Sequence, residues 1–325
     1  MNTTRFRTGI GFGVAAAAVL IAGCTGPSVP SQSHAAVAIS GAATVSGAAV
    51  QGSQLVVLAE GSDGVAGLWA LDDKSVWTWL TVTPGATALG AAPDGIALAT
   101  GHEVEIRPRS ALGTPGAART LNWVGAKPAA PIVALDSSKD GKLILVTADA
   151  QSLGYAVAAP DGTTTPLSPA PDQSFTPSAA WLDNSRLLVL ATDSAQVSRL
   201  AVADTGAKTL NSAKSVSGVR VMSLSGDQQT ACVATETSVI VGAVDALLGT
   251  ESPTPSLTIV SSHVVWGLTL DTNGSHLYML SGTLADDGNV GGVKELGYAK
   301  QGSGWVQVVA SDVPFGRAIG QVLLD

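Results

Sequence analysis

Cysteine is scarce in this sequence: the 325 residues hold two, Cys24 and Cys232. Whatever the fate of Cys24, a fold of this size gains at most one staple, so burial of apolar side chains must close it. Cys232 sits in the apolar run Thr230-Ala231-Cys232-Val233-Ala234, where a thiol reads as a small buried hydrophobe rather than a nucleophile. Charge is equally thin, at 13% of residues, and basic charge thinnest, with 17 Lys and Arg against 25 Asp and Glu. Without Arg5 and Arg7 the balance becomes 15 against 25. No basic stripe exists to neutralise phosphates, which excludes nucleic acid as a partner. Sustained 3.6-residue periodicity is missing too, so long amphipathic helices find no support. The chemistry-bearing motifs are absent as a class. Four histidines, His34, His102, His263 and His276, form no His-x-x-x-His pair, and no Gly-x-Ser-x-Gly, cysteine pair, Walker or Rossmann glycine pattern accompanies them.

No apolar run is long enough to cross a bilayer comfortably. The one from Ile10 to Ala22 follows Arg5 and Arg7 and falls short of the roughly 20 residues a spanning helix needs, which is the form of an export signal. Its end, Ile21-Ala22-Gly23-Cys24, resembles the bacterial lipobox. That resemblance implies removal of residues 1–23 and a diacylglycerol thioether on Cys24, often with a further acyl chain such as palmitate, enough for stable anchoring. Residues 24–35, from Cys24 through Thr25-Gly26-Pro27-Ser28-Val29-Pro30 and beyond, have the composition of a flexible tether. The expected location is the extracytoplasmic face of a cell membrane. In a bacterium with two membranes, Thr25 after the acylated cysteine permits sorting to the outer one.

What the sequence has in abundance is apolar residues, 46%, with 37 Gly and 16 Pro spread along its length, the composition of many short strands and turns. A pattern repeats: apolar run, polar turn, second apolar run, loop. The turns align at Gly52, Gly95, Gly141, Ser185, Gln228 and Gly274, spaced by 43, 46, 44, 43 and 46 residues. About 40–45 residues is the length of a four-stranded propeller blade. The run after each turn, such as Leu143 to Thr147 or Leu187 to Ala191, is continuously apolar, as for a strand covered on both faces. Residues 36–325 are therefore expected to form one all-β domain, a six-bladed β-propeller of four-stranded antiparallel blades. One further first-strand pattern, Ala318-Ile319-Gly320-Gln321-Val322-Leu323-Leu324-Asp325, stops where a turn should come and is expected to close the ring in the first blade. The run Ala43-Thr44-Val45-Ser46-Gly47-Ala48-Ala49 also looks like a first strand and keeps seven blades open.

At the level of this pattern, residues 43–325 are similar to the YVTN, NHL and WD40-like propellers of bacterial envelope lipoproteins, and the Ala/Val/Thr/Gly-rich, Lys-poor composition points to an actinobacterial source. The Trp-Asp and Tyr-Val-Thr-Asn signatures are missing, so the resemblance implies a class of role and no particular one.

Eight residues beyond each turn stand Glu60, Glu103, Asp149, Asp193 and Glu236, with Gly282 in the sixth repeat and Asp286-Asp287 four residues further on. These positions fall between second and third strands, on the face that also carries the blade-to-blade connections. Two readings apply: loop acids that bond a neighbouring connection, or a negative face that concentrates cations. Ca²⁺ needs six to eight oxygens, and Asp286 and Asp287 are the weak local candidates for it; otherwise no cofactor is expected. His102 and His263 are expected in loops on that face, and His276 at the start of a strand. Trp77 and Trp79 share one face of an outer strand, suited to packing between blades or to stacking on sugars. The expected function is a binding or scaffolding lipoprotein for an envelope protein or extracellular ligand. The alternative is a metal-dependent, lactonase-like hydrolase using the acidic face.

Overall fold

The computed structural model describes residues 54–61, 64–72, 76–114, 118–149, 153–167, 174–192, 197–206, 209–249, 253–259, 263–284, 290–315 and 317–324. The segments 1–23 and 24–35, the run 43–49 and the first aligned turn at Gly52 lie outside them.

The described residues form six four-stranded antiparallel sheets arranged as blades. With strands numbered β1 to β24 in chain order and each blade given from its inner strand outward, blade 1 is β24(Arg317–Leu324), β1(Gln54–Glu60), β2(Ala66–Leu71) and β3(Trp77–Val82). Blade 2 is β4(Ala86–Ala92), β5(Gly95–Thr100), β6(Glu103–Pro108) and β7(Arg119–Thr120). Blade 3 is β8(Ile132–Ser137), β9(Leu143–Ala148), β10(Leu153–Ala158) and β11(Thr164–Leu167). Blade 4 is β12(Ser174–Trp181), β13(Arg186–Thr192), β14(Ser198–Asp204) and β15(Thr209–Ser217). Blade 5 is β16(Val221–Leu224), β17(Thr230–Ala234), β18(Ser238–Ala243) and β19(Leu257–Thr258), with one short helix, α1(Val244–Leu248), between its last two strands. Blade 6 is β20(His263–Leu270), β21(His276–Leu284), β22(Val290–Gln301) and β23(Gly304–Asp312). The six-bladed architecture is thus the one that the turn spacing predicts.

The core is divided among the interfaces between blades, one cluster to each of the six. The second strands explain this division. Side chains alternate across a strand, so on β13 Leu187, Val189 and Ala191 pack toward blade 3, whereas Leu188 and Leu190 pack toward blade 5. A strand with two buried faces must be apolar at every position, which is why these runs show no alternation in the sequence.

The turns joining first to second strands share a clamp. Ser138 and Ser225 are buried, and each hydroxyl bonds the backbone across its turn. Ser138 Oγ accepts from Lys142 N–H at 2.9 Å and donates to an oxygen of Asp140; Ser225 Oγ accepts from Thr230 N–H at 3.0 Å and donates to Asp227 Oδ1 at 2.6 Å. Blade 6 uses a carboxylate instead: Asp271 Oδ1 accepts from Ser275 N–H at 2.6 Å and His276 N–H at 2.9 Å. Neighbouring turns also interlock, Lys142 Nζ donating to Asn184 O at 2.9 Å and Asp227 N–H to Thr272 O at 2.7 Å.

Ring closure follows the expectation from the sequence. β24 pairs antiparallel with β1 from Gln54↔Leu324 to Glu60↔Arg317, so strands some 260 residues apart complete one blade and the free edge of β1 is covered.

Candidate functional site

Each inner strand is the last of its sheet, and the six together enclose a central channel of about 980 Å³. Four of them carry a single skipped residue near their starting end: the pairing jumps from Ala86 to Ala88, from Ile132 to Ala134, from Val265 to Gly267 and from Ala318 to Gly320. β12 has a longer irregularity between Phe175 and Ala179. A bulge leaves its extra residue unpaired and re-aims it. Thr87 uses that freedom to tie blades together, its hydroxyl donating to Ile132 O at 2.6 Å. Val133, Ser178, Trp266 and Ile319 instead line the channel. Val133, Trp266 and Ile319 with Val221 of β16 make an apolar collar, in which Trp266 keeps 38% of its surface exposed.

The mouth at the first-to-second-strand turns is polar, with Asp94, Arg109, Ser138, Lys139, Gln228 and Thr272 around it. Inside the wall, Asp136 Oδ2 accepts from Trp181 N–H at 3.1 Å, and the Trp181 indole donates to Asp136 O at 3.3 Å. Burial pushes the Asp136 carboxyl up to about 6, against the lowering effect of the hydrogen bond from Trp181. The channel therefore combines an apolar throat, a mouth with groups of both signs, and a carboxyl that gains or loses its proton near neutrality.

Of the acids singled out in the sequence, the described ones lie at the opposite end, at the second-to-third-strand connections. Glu60 ends β1, Glu103 opens β6, Asp149 follows β9 and Glu236 lies in the turn between β17 and β18. Asp193, Asp286 and Asp287 lie outside the described residues, as does Cys24. Glu103 pairs with Lys127, and Glu236 with Arg220 at 3.6 Å. Both cations belong to blade-to-blade connections, so these two acids brace the connection beside them. The pairs are exposed and of little energetic worth. Among the described residues no three of His, Cys, Asp and Glu gather as a metal site would require.

The histidines are placed locally. His102 lies in the β5–β6 turn with Nδ1 donating to Pro128 O at 2.9 Å, while His263 opens strand β20 rather than standing in a loop. His276 opens β21 as expected. Its Nδ1 donates to Asp271 Oδ2 at 2.9 Å, and the Ser275 hydroxyl donates to that same oxygen at 2.6 Å. Nucleophilic catalysis needs serine on one imidazole nitrogen and the carboxylate on the other; here Ser275 Oγ, at 3.1 Å, and Asp271 Oδ2 both meet Nδ1, and the trio is a turn clamp. Burial opposes ionisation of Asp271, but hydrogen bonds from His276 and Ser275 hold its carboxyl below the usual range. Cys232 is fully buried and burial pushes its thiol pKa up, so it is inert. Trp77 and Trp79 pack between blades: Trp79 lies edge-on to Trp69 with ring centres 4.8 Å apart, and Trp77 edge-on to Phe315 at 5.3 Å.

Trp266 and Asp136 escaped the sequence reading as site residues. A faint signal existed for Asp136, since first strands repeatedly end in aspartate, as in Val133-Ala134-Leu135-Asp136 and Leu268-Thr269-Leu270-Asp271. Trp266 gave none, because a bulge leaves no mark in one sequence.

No family model matches this sequence, and no curated protein matches it. Among solved structures, the chain is similar to a TolB protein from Agrobacterium tumefaciens at a TM-score of 0.55 and 11% identity, over 83% of this chain and 96% of that one. It is similar to TolB from Acinetobacter baumannii at a TM-score of 0.56 and 10% identity, over 82% of this chain and 66% of that one. A gluconolactonase from Xanthomonas campestris is a looser likeness, at a TM-score of 0.44 and 13% identity over 69% of this chain and 82% of that one, and carries no argument about chemistry. At such identities the likeness extends to architecture alone, and this chain is a six-bladed β-propeller of the shape also seen in TolB proteins.

Proposed function

We propose that the chain is a binding propeller held at the cell envelope through Cys24, whose central channel seats an envelope protein or an extracellular ligand. The observation that carries this reading is the collar of bulged residues. Bulges that turn Val133, Trp266 and Ile319 out of register give up ladder hydrogen bonds, and they place a large aromatic surface where packing of the blades does not use it. An apolar throat with a few polar groups at its rim is the general form of a ligand site. The described acidic residues at the other end, Glu60, Glu103, Asp149 and Glu236, would give that face a negative field favouring cations, Ca²⁺ included.

The test is site-specific photo-crosslinking of the full chain in its own cells, with the photoreactive residue at position 266 or at Val306 on the outer strand of blade 6. A discrete adduct from 266, abolished by Ser223→Arg in the channel wall, is the expected result. Adducts from 306 with none from 266 would move the binding surface off the channel and defeat the reading.

A further inference from the structure

Among the described residues, most of the buried side-chain polar atoms without a hydrogen-bond partner lie at the interface between blade 6 and blade 1. Its apolar cluster includes Leu55, Val57, Trp69, Leu280 and Phe315, with Trp77, Trp79 and Tyr278 at its margin. Glu295 of β22 projects into it. Its cross-strand partner Leu280 and its neighbour two residues back, Val293, both belong to the cluster. At the neighbouring position on the same side, a Cβ on Gly297 would meet Val309 and Tyr278 of the cluster. Glu295 has 0% exposure and neither carboxyl oxygen has a hydrogen-bond partner. The indole N–H groups of Trp69 and Trp77, in the same interface, are also buried without partners.

We propose that this interface is a proton-held latch: the ring is tightly closed while Glu295 keeps its proton, and ionisation of Glu295 loosens blade 1 from blade 6. A neutral carboxyl can be buried among apolar groups at moderate expense, whereas an unpaired carboxylate there is far more costly. Among the described residues nothing donates to it or pairs with it. The groups facing Glu295 from β1, β2, β3 and the Phe315 segment are apolar or aromatic. From β21 the titratable group is Tyr278, and from β23 Ser311 stands directly opposite with its hydroxyl turned toward Asp312 O at 3.5 Å. Lys294, next along β22, is exposed and pairs with Asp312 at 3.5 Å instead. Burial accordingly pushes the Glu295 carboxyl well above the usual range. The placement matters because the blade on one side of this interface is the one completed by strands distant in sequence, β24 against β1. The proton released on ionisation goes to solvent, and a charge then stands in a wall made of tryptophan.

The experiment is hydrogen–deuterium exchange of the full chain at about pH 6 and about pH 9, with exchange times corrected for the intrinsic rate, comparing β1, β2 and β24 with the blade 4–blade 5 interface as internal reference. In the wild type, protection of the latch strands relative to the reference is expected to fall at least about tenfold at the higher pH, and Glu295→Gln to abolish that fall. An equal relative fall in E295Q, or no relative fall in the wild type, overturns the proposal. Should E295Q fail to fold, infrared titration of the wild type decides: the carbonyl band of a protonated carboxyl must disappear in step with the loss of latch protection, and a band lost earlier, or never present, overturns it.

Discussion

Gln228 occupies the left-handed region at φ 66°, where the equivalent turn positions are Gly141 at 82° and Gly274 at 69°. Side chains with a Cβ are disfavoured there by roughly 1 kcal/mol, so Gln228→Gly is expected to raise stability by about 0.5–1 kcal/mol in denaturant titration. A destabilised variant would show that the glutamine side chain holds the turn in some other way. Asp136 gives a pH-dependent expectation. Its carboxyl is raised to about 6 in the folded state from an ordinary value of about 4. The folded protein therefore binds this proton more tightly than the unfolded one. The stability it contributes is fully present below about pH 4 and lost as pH rises through about 6. Asp136→Asn should remove that loss, making the variant more stable than the wild type at about pH 8 by roughly 1–2 kcal/mol, discounted for the access that the channel gives to water; equal pH profiles would contradict it. Gln228 was legible in the sequence because it aligned with glycines. Glu295 was not: Lys294-Glu295-Leu296-Gly297 reads as an ordinary half-solvated strand, and only the approach of another blade turns one of its faces inward.

At the level of elements, the turns and the contacts between inner strands decide the geometry. Removing the clamp hydroxyl by Ser138→Ala or Ser225→Ala strands buried backbone groups, and each is expected to cost about 1–2 kcal/mol, with little difference between the two blades. Thermal melts of both variants check it, and a neutral result at either would mean that the turn holds without its clamp. Gly90 on β4 matters for a different reason. A Cβ there would stand 2.1 Å from the carbonyl oxygen of Leu135 on the next blade. Gly90→Ala is expected to destabilise by about 1–3 kcal/mol through overpacking, whereas Gly64→Ala, with open space around it, should cost less despite its positive φ. Strand identity was legible because burial on both faces writes an unbroken apolar run. Bulges were not, since they depend on how each inner strand meets the channel, and Trp266 looks in sequence like any other strand tryptophan.

At the scale of the whole molecule, closure is the device on which the fold rests. Deleting residues from Arg317 onward removes β24 and leaves β1, whose Val56, Val57 and Leu58 are fully buried, as a bare sheet edge. The truncated chain is expected to lose its cooperative melt and to run as aggregates in size exclusion; a monomer with an unchanged melt would mean that the ring does not need its closing strand. Anchoring has its own test. Cys24→Ser should abolish acyl labelling and move the chain from the membrane fraction to the soluble one, where retention in the membrane would count against anchoring through Cys24. No helix of the described residues is long and apolar enough to cross a membrane. The blade count and the closing strand could be read from the sequence because both follow from the repeat. The channel could not, since six inner strands meet there that have no proximity along the chain. The same closure also sets an order of events during synthesis. At about 5–20 residues per second, β1 emerges from the ribosome roughly 10–50 seconds before its partner β24 exists, while the intervening blades can already pair within themselves. Completion of the first blade therefore follows the formation of the others, and for that interval the apolar edge of β1 depends on whatever in the cell keeps nascent chains from sticking to one another.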